Sequence, residues 1–137
     1  MVVDTGVLLA ALDRADPRHG PARAVLDDPA SGQLFVPAPV LNELDHFMRR
    51  RAIADRWLTF CEDVEDERYL LHPLTPASLL EAARLQAKYQ DLRLGFVDAV
   101  VFLTCVELGE RTIATLDRRH FSVLRTPEGQ ALEIVPG

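Results

Sequence analysis

The sequence predicts an α/β fold: a three-layer α/β/α sandwich around a central parallel sheet of about five strands. Three observations carry this prediction. Short apolar runs rich in β-branched residues alternate along the chain with longer segments whose apolar residues recur at helical spacing. The short runs, such as Val2-Val3 and Leu34-Phe35-Val36, are apolar throughout, as strands covered on both faces require. Gly, Pro or Asp stands at most junctions between the two kinds of segment, where a turn or a helix end needs it.

The elements follow in order. Val2 and Val3 read as a strand ending in Asp4, and Thr5-Gly6 makes a tight passage into an apolar helix over Val7 to Leu12. Asp13, Asp16 and Pro17 interrupt that helix, and a second helical segment runs from about His19 to Leu26. A loop with Pro29, Ser31 and Gly32 leads to a strand over Gln33 to Val36. Pro39 then opens a helix whose positions Val40, Leu41, Leu44, Phe47 and Met48 make one apolar face. A further helix is expected from Ile53 to about Val64, followed by the acidic run Glu62 to Glu67 and a strand over Tyr69 to Leu71. Thr75, Pro76 and Ser78 start another helix that ends near Gln90, with Leu79, Leu80, Ala83 and Ala87 as its expected buried stripe. Asp91 to Gly95 connects to the most apolar helix, Phe96 to Leu108, which Gly109 stops. Strands over Thr112 to Thr115 and Ala131 to Val135 flank a turn or short helix at Leu116 to Phe121.

Composition bounds the function. A chain of 137 residues reads as one domain, 1–137, burying about two thirds of its unfolded surface. With 21 acidic against 15 basic residues the net charge is −6, which argues against broad electrostatic adhesion to nucleic acid. It leaves room for a small site where gathered carboxylates are offset by a cation. Cys61 and Cys105 stand singly, without CxxC spacing, so neither zinc nor a disulfide is expected. No leader-like segment and no membrane-length apolar run is present, and a cytoplasmic protein with no membrane partner is expected.

The carboxylates carry the chemistry. Asp4 ends the first strand at the carboxyl edge of the sheet, the edge where ligands bind in open α/β sheets. Asp117 repeats the arrangement after the Thr112 strand, and each is equally able to cap the helix it opens. Asp98 lies among apolar neighbours in the first turn of a helix, where an unpaired carboxylate is expensive to desolvate. Glu43 and Asp45 occupy the two edges of the Val40 to Met48 stripe, and spacing does not choose between them. Like charges about 4 Å apart repel by roughly 4 kcal/mol at an effective dielectric near 20. Acids gathered at one edge therefore need protons or a cation, and oxygen-only ligands favour Mg²⁺ or Mn²⁺.

In this pattern the chain resembles the PIN domain family, particularly the VapC-type toxin ribonucleases of bacterial toxin–antitoxin pairs. The likeness rests on Val2-Val3-Asp4-Thr5 at the start, Asn42-Glu43-Leu44, Phe96-Val97-Asp98-Ala99, and Thr115-Leu116-Asp117 leading into Arg118-Arg119-His120-Phe121. It covers essentially the whole chain in order. It implies a Mg²⁺-dependent endoribonuclease, with Mn²⁺ able to substitute, whose acidic site is Asp4, Glu43, Asp98 and Asp117. It also favours Glu43 over Asp45, makes Thr5 a supporting hydroxyl, and implies a tRNA or rRNA substrate, a cognate antitoxin and a homodimer. Many relatives carry a further acid three residues before the helix aspartate; here that position is Gly95, and Asp91 is out of register.

The remaining polar residues are read more plainly. Arg118 and Arg119, beside the proposed site, are expected to contact RNA phosphate, whereas Arg49, Arg50 and Arg51 read as a solvated helix end. His19, His46, His72 and His120 lack ligand spacing and read as surface or satisfied histidines. Phe47, Met48, Trp57 and Phe60 read as core, part of which could form a groove for an antitoxin peptide or a dimer contact. Two competing readings are a PIN-like module that only binds RNA or protein, and a receiver-type signalling domain. The receiver fits poorly: Asp4 stands alone after the first strand, and the single lysine, Lys88, lies in a helix.

Overall fold

A computed structural model describes residues 1–137. Five strands, β1 (Val2–Val3), β2 (Leu34–Pro37), β3 (Tyr69–His72), β4 (Thr112–Ala114) and β5 (Glu133–Val135), form one sheet in the order β3-β2-β1-β4-β5. Every neighbouring pair is parallel, with Val2 opposite Phe35 on one side and Ile113 on the other. The chain builds outward from β1 to β3 and then returns to place β4 on the opposite flank of β1. The strand order therefore reverses between β1 and β4, and this reversal opens a crevice at the carboxyl ends of those strands.

Seven helices flank the sheet: α1 (Thr5–Leu12), α2 (His19–Asp27), α3 (Ala38–Arg50), α4 (Asp55–Glu65), α5 (Pro76–Lys88), α6 (Phe96–Leu108) and α7 (Arg118–Phe121). Helix α1 begins at Thr5, two residues earlier than periodicity suggests, because the Asp4 carboxylate accepts the Thr5 backbone N–H at 2.7 Å. A cap of this kind contributes about 1 kcal/mol. Helices α1 and α6 are apolar on nearly all sides and lie in the core, whereas α3 buries a single line, Val40, Leu44 and Met48. Gly109, at φ 66°, ends α6 in the left-handed conformation that a residue without Cβ adopts freely. No helix is long and apolar enough to cross a membrane.

Several local expectations are corrected. The buried line of α5 is Ser78 and Ala82, continued by the half-buried Leu85, while Leu79 and Leu80 are 49% and 52% exposed and Ala83 and Ala87 face solvent. The helix start decides this. Thr75 Oγ1 accepts the Ser78 N–H, and Ser78 Oγ donates to Glu107 of α6 at 2.8 Å, which turns the small residues toward α6. Phe47 is 39% exposed rather than core, although Met48 and Phe60 are fully buried. The chain turns at Arg51–Ala54, with Ala52 at φ 58°, so α4 starts at Asp55 rather than Ile53. A single 3₁₀ turn at Gln90–Leu92 separates α5 from α6, and β3 extends through His72.

Candidate active site

The crevice between β1 and β4 is lined by Asp4, Glu43, Asp98 and Asp117, brought there by four separate segments. Its volume is about 360 Å³. A larger cavity of about 710 Å³, against Met1, Glu110 and Glu133, holds none of these residues. Asp4 arrives because β1 ends there, Asp117 because β4 does, and Asp98 because Gly95 starts α6 at the same edge. Glu43 reaches in from the second turn of α3, and Asp45 turns away to pair with Arg49 one helical turn along. Helical spacing leaves the two α3 acids undecided and the family resemblance favours Glu43; the rotation of α3 over its buried Val40, Leu44 and Met48 is what puts Glu43 on the crevice wall.

Hydroxyls hold the acids in place. Thr5 Oγ1 donates to Glu43 Oε1 at 2.7 Å, tying the start of α1 to α3. Thr115 Oγ1 donates to Asp4 Oδ2 at 2.7 Å and accepts the Asp117 backbone N–H at 3.0 Å, so one buried hydroxyl bridges two acids. Asp117 caps α7 through the His120 N–H and accepts the His120 ring Nδ1 at 2.5 Å. The same ring nitrogen stands 3.8 Å from Asp98 Oδ2, and ligand atoms of Asp98, Asp117 and His120 all lie within 4.8 Å of one another. The sequence did not single out Thr115, and His120, expected there as a surface or satisfied histidine, is a direct partner of Asp117. Thr115 mirrors Thr5 in lying beside a strand-end acid, and His120 stands one short turn beyond Asp117; both spacings were legible.

The protonation balance of the cluster is uneven. Burial pushes the Asp4 carboxyl above its ordinary value, and the hydrogen bonds from Thr115 and Thr5 only partly offset it. Burial, reinforced by the charges of Asp4 and Asp117, lifts Asp98 to about 6. Burial also works against ionised Asp117, but the ring and backbone N–H groups of His120 hold its carboxyl below the usual range. An ionised Asp117 beside two acids that resist ionisation is the signature of a carboxylate cluster short of positive charge. The donor set, carboxylate oxygens facing an open crevice, fits a hard divalent cation.

Two guanidiniums, Arg18 and Arg51, are the only cationic groups lining the crevice. Arg118 and Arg119 do not line it: α7 carries them beyond the crevice wall, and the Arg118 guanidinium donates to the Pro136 carbonyl at 2.7 Å. Gly95 has ordinary backbone angles, and a Cβ there would meet only Asp98 Oδ2, at 3.8 Å. Position 95 therefore looks directly at the acid cluster with space for a side chain.

A crevice at a topological switch point lined by four carboxylates from separate strands and helices defines a class, and the chain belongs to the PIN domain family, whose model matches residues 1–126. Among individual proteins, it is 36% identical over 136 residues to Ribonuclease VapC26 of Mycobacterium tuberculosis, spanning 99% of this chain and 100% of that one. Its fold is that of VapC20 of Mycobacterium tuberculosis, a sarcin–ricin loop cleaving toxin. The two superpose with a TM-score of 0.76 at 20% identity, covering 85% of this chain and 89% of VapC20.

Proposed function

We propose that the protein is a Mg²⁺-dependent endoribonuclease, with Mn²⁺ able to substitute, acting as the toxin of a toxin–antitoxin pair. The observation that carries the reading is the convergence of Asp4, Glu43, Asp98 and Asp117 on one crevice, in a chain related over its length to a VapC ribonuclease. Asp4, Asp98 and Asp117 would hold the cation, with Glu43 completing the set. When bound, a divalent cation in such a site lowers the pKa of a bound water and neutralises charge on the scissile phosphate.

The chain's own residues supply the rest. Thr115 fixes the Asp4 carboxylate by occupying one of its oxygens, while the other accepts the helix-capping N–H of Thr5. Asp4 is therefore both a cap and a site residue. Glu43, oriented by the Thr5 hydroxyl, either completes that set or helps take the proton from the attacking water as general base. His120 keeps Asp117 ionised and aimed into the crevice. Arg118 and Arg119 are assigned to phosphates of the RNA outside the crevice. The protein is taken to be one domain over residues 1–137, to work in the cytoplasm on tRNA or rRNA, to be restrained by a cognate antitoxin, and to form a homodimer.

The test is incubation of purified protein with tRNA and with rRNA fragments in Mg²⁺, Mn²⁺ or EDTA, beside Asp98→Ala. Defined cleavage products in either metal, absent in EDTA and with the variant, are expected. Equal cleavage by the folded Asp98→Ala protein, or by wild type in EDTA, would sink the assignment.

A further inference from the structure

The turn between α1 and α2 contains a carboxylate that the proposed chemistry does not use. The Asp16 side chain is only 2% exposed, yet it lies outside the acid cluster. Its oxygens accept the Arg18 backbone N–H at 2.8 Å, Arg18 Nε and Nη2 at 3.1 and 3.2 Å, and Arg51 Nη1 at 2.9 Å. Asp13 accepts the same Arg51 nitrogen at 3.0 Å. These bonds hold Asp16 far below the ordinary carboxylate range, with the Arg18 side chain the largest influence. Arg51, the last of the three consecutive arginines at the end of α3, is therefore not a solvated helix end. It folds back across the turn to reach the crevice.

The arrangement leaves donors free. Arg51 spends Nη1 on both aspartates, so Nε and Nη2 remain; Arg18 spends Nε and Nη2, so Nη1 remains. Both arginine side chains stay accessible, 34% exposed for Arg51 and 52% for Arg18. They are the sole cationic side chains lining a crevice whose other charged side chains are four acids, so among its side chains they alone attract a polyanion. Planar guanidinium forks match phosphate oxygens, and a fork already anchored on one edge loses little freedom on binding.

We propose that Arg51 and Arg18 bind a backbone phosphate of the RNA next to the scissile bond, with buried Asp16 as the positioning residue that holds both guanidiniums at the crevice wall. This deepens the ribonuclease reading and rests on it.

The experiment measures kcat and KM for one fluorescent single-stranded RNA in Mg²⁺, over a salt series from about 50 to about 200 mM. Wild type is compared with Arg51→Gln, Arg51→Lys, Arg18→Gln and Asp16→Asn. Each Gln variant is expected to raise KM roughly tenfold with kcat within about threefold, the pattern of lost uniform binding. Each should also make the slope of log KM against log salt shallower by about 0.7, the value for one phosphate contact on a single strand. Arg51→Lys keeps the charge but not the fork, so it should restore the slope and only part of the KM. Asp16→Asn should raise KM without changing the slope, since both cations remain.

Unchanged KM and slope in Arg18→Gln, together with an unchanged KM in Arg51→Lys, overturn the proposal even if Arg51→Gln fails to fold. A fall in kcat at constant KM overturns it as well, because that marks a role in scaffold or chemistry and not in RNA seating. Both outcomes leave the ribonuclease reading standing when wild type cleaves in Mg²⁺ and Asp98→Ala does not. A wild-type protein that cleaves no RNA in either metal overturns both.

Discussion

Replacing Asp98 with Asn should stabilise the metal-free protein while removing its activity. Asp98 is raised from 3.8 to about 6 by burial and by the charges of Asp4 and Asp117, so its ionised form is disfavoured in the folded state. At 1.36 kcal/mol per pH unit the penalty at neutral pH approaches about 3 kcal/mol. With 26% of the side chain exposed, solvent screening brings this to about 2 kcal/mol. An Asn of equal size escapes the penalty, and its amide can donate to neighbouring carboxylates. For a chain of this size the gain is roughly 5–10 °C in Tm.

The sign follows from linkage: an acid whose folded pKa is raised destabilises above that value and is neutral to stability below its unfolded one. The Tm difference between Asp98→Asn and wild type should therefore be full near pH 7.5 and nearly gone by about pH 4. Differential scanning fluorimetry in EDTA measures it. Adding Mg²⁺ or Mn²⁺ should raise the wild-type Tm more than that of the variant, because a ligand stabilises only what it binds. A variant Tm equal to or below wild type in EDTA at pH 7.5 would refute the charge-repulsion reasoning, whatever the cleavage assay shows.

Three further outcomes follow from the same geometry. Gly95→Asp puts a fifth carboxylate against Asp98 in open space, and should lower the metal-free Tm while tightening Mn²⁺ binding roughly tenfold by calorimetry, about 1.4 kcal/mol; unchanged affinity would show that position 95 does not serve the site. Thr115→Val removes the hydroxyl shared by Asp4 and Asp117, and should destabilise by roughly 1–3 kcal/mol in urea unfolding, with reduced RNA cleavage. Asp16→Ala should destabilise by roughly 2–3 kcal/mol at pH 7 by leaving the arginines unpaired. Because Asp16 is held below its ordinary 3.8, its contribution is complete above about pH 4 and drains away as pH falls further, so the variant should be less acid-sensitive than wild type over that window.

Much of this protein was legible in one dimension. The five strands and the main helices follow from runs such as Val2-Val3 and from the period of Val40, Leu44 and Met48, because burial on both sheet faces and on one helix stripe leaves a repeating mark. The misplacements fall where a tertiary contact sets helix rotation. Leu79 and Leu80 looked like a buried pair, but the hydrogen bond from Ser78 to Glu107 turned α5 so that they face water.

By itself the sequence determined the parallel α/β scaffold, the strand-end positions of Asp4 and Asp117, and the placement of Asp98 in the first turn of its helix. These depend on local pattern and on the rule that strand ends share an edge. Only the tertiary structure decided how α3 turns Glu43 into the crevice and Asp45 out to Arg49, that Thr115 bridges Asp4 and Asp117, and that Arg51 joins Arg18 there while Arg118 turns to Pro136. The physical reason is one of distance along the chain. Thr115 meets Asp4 from 111 residues away and Arg51 meets Asp16 from 35, and no local periodicity encodes pairings made only when the sheet closes.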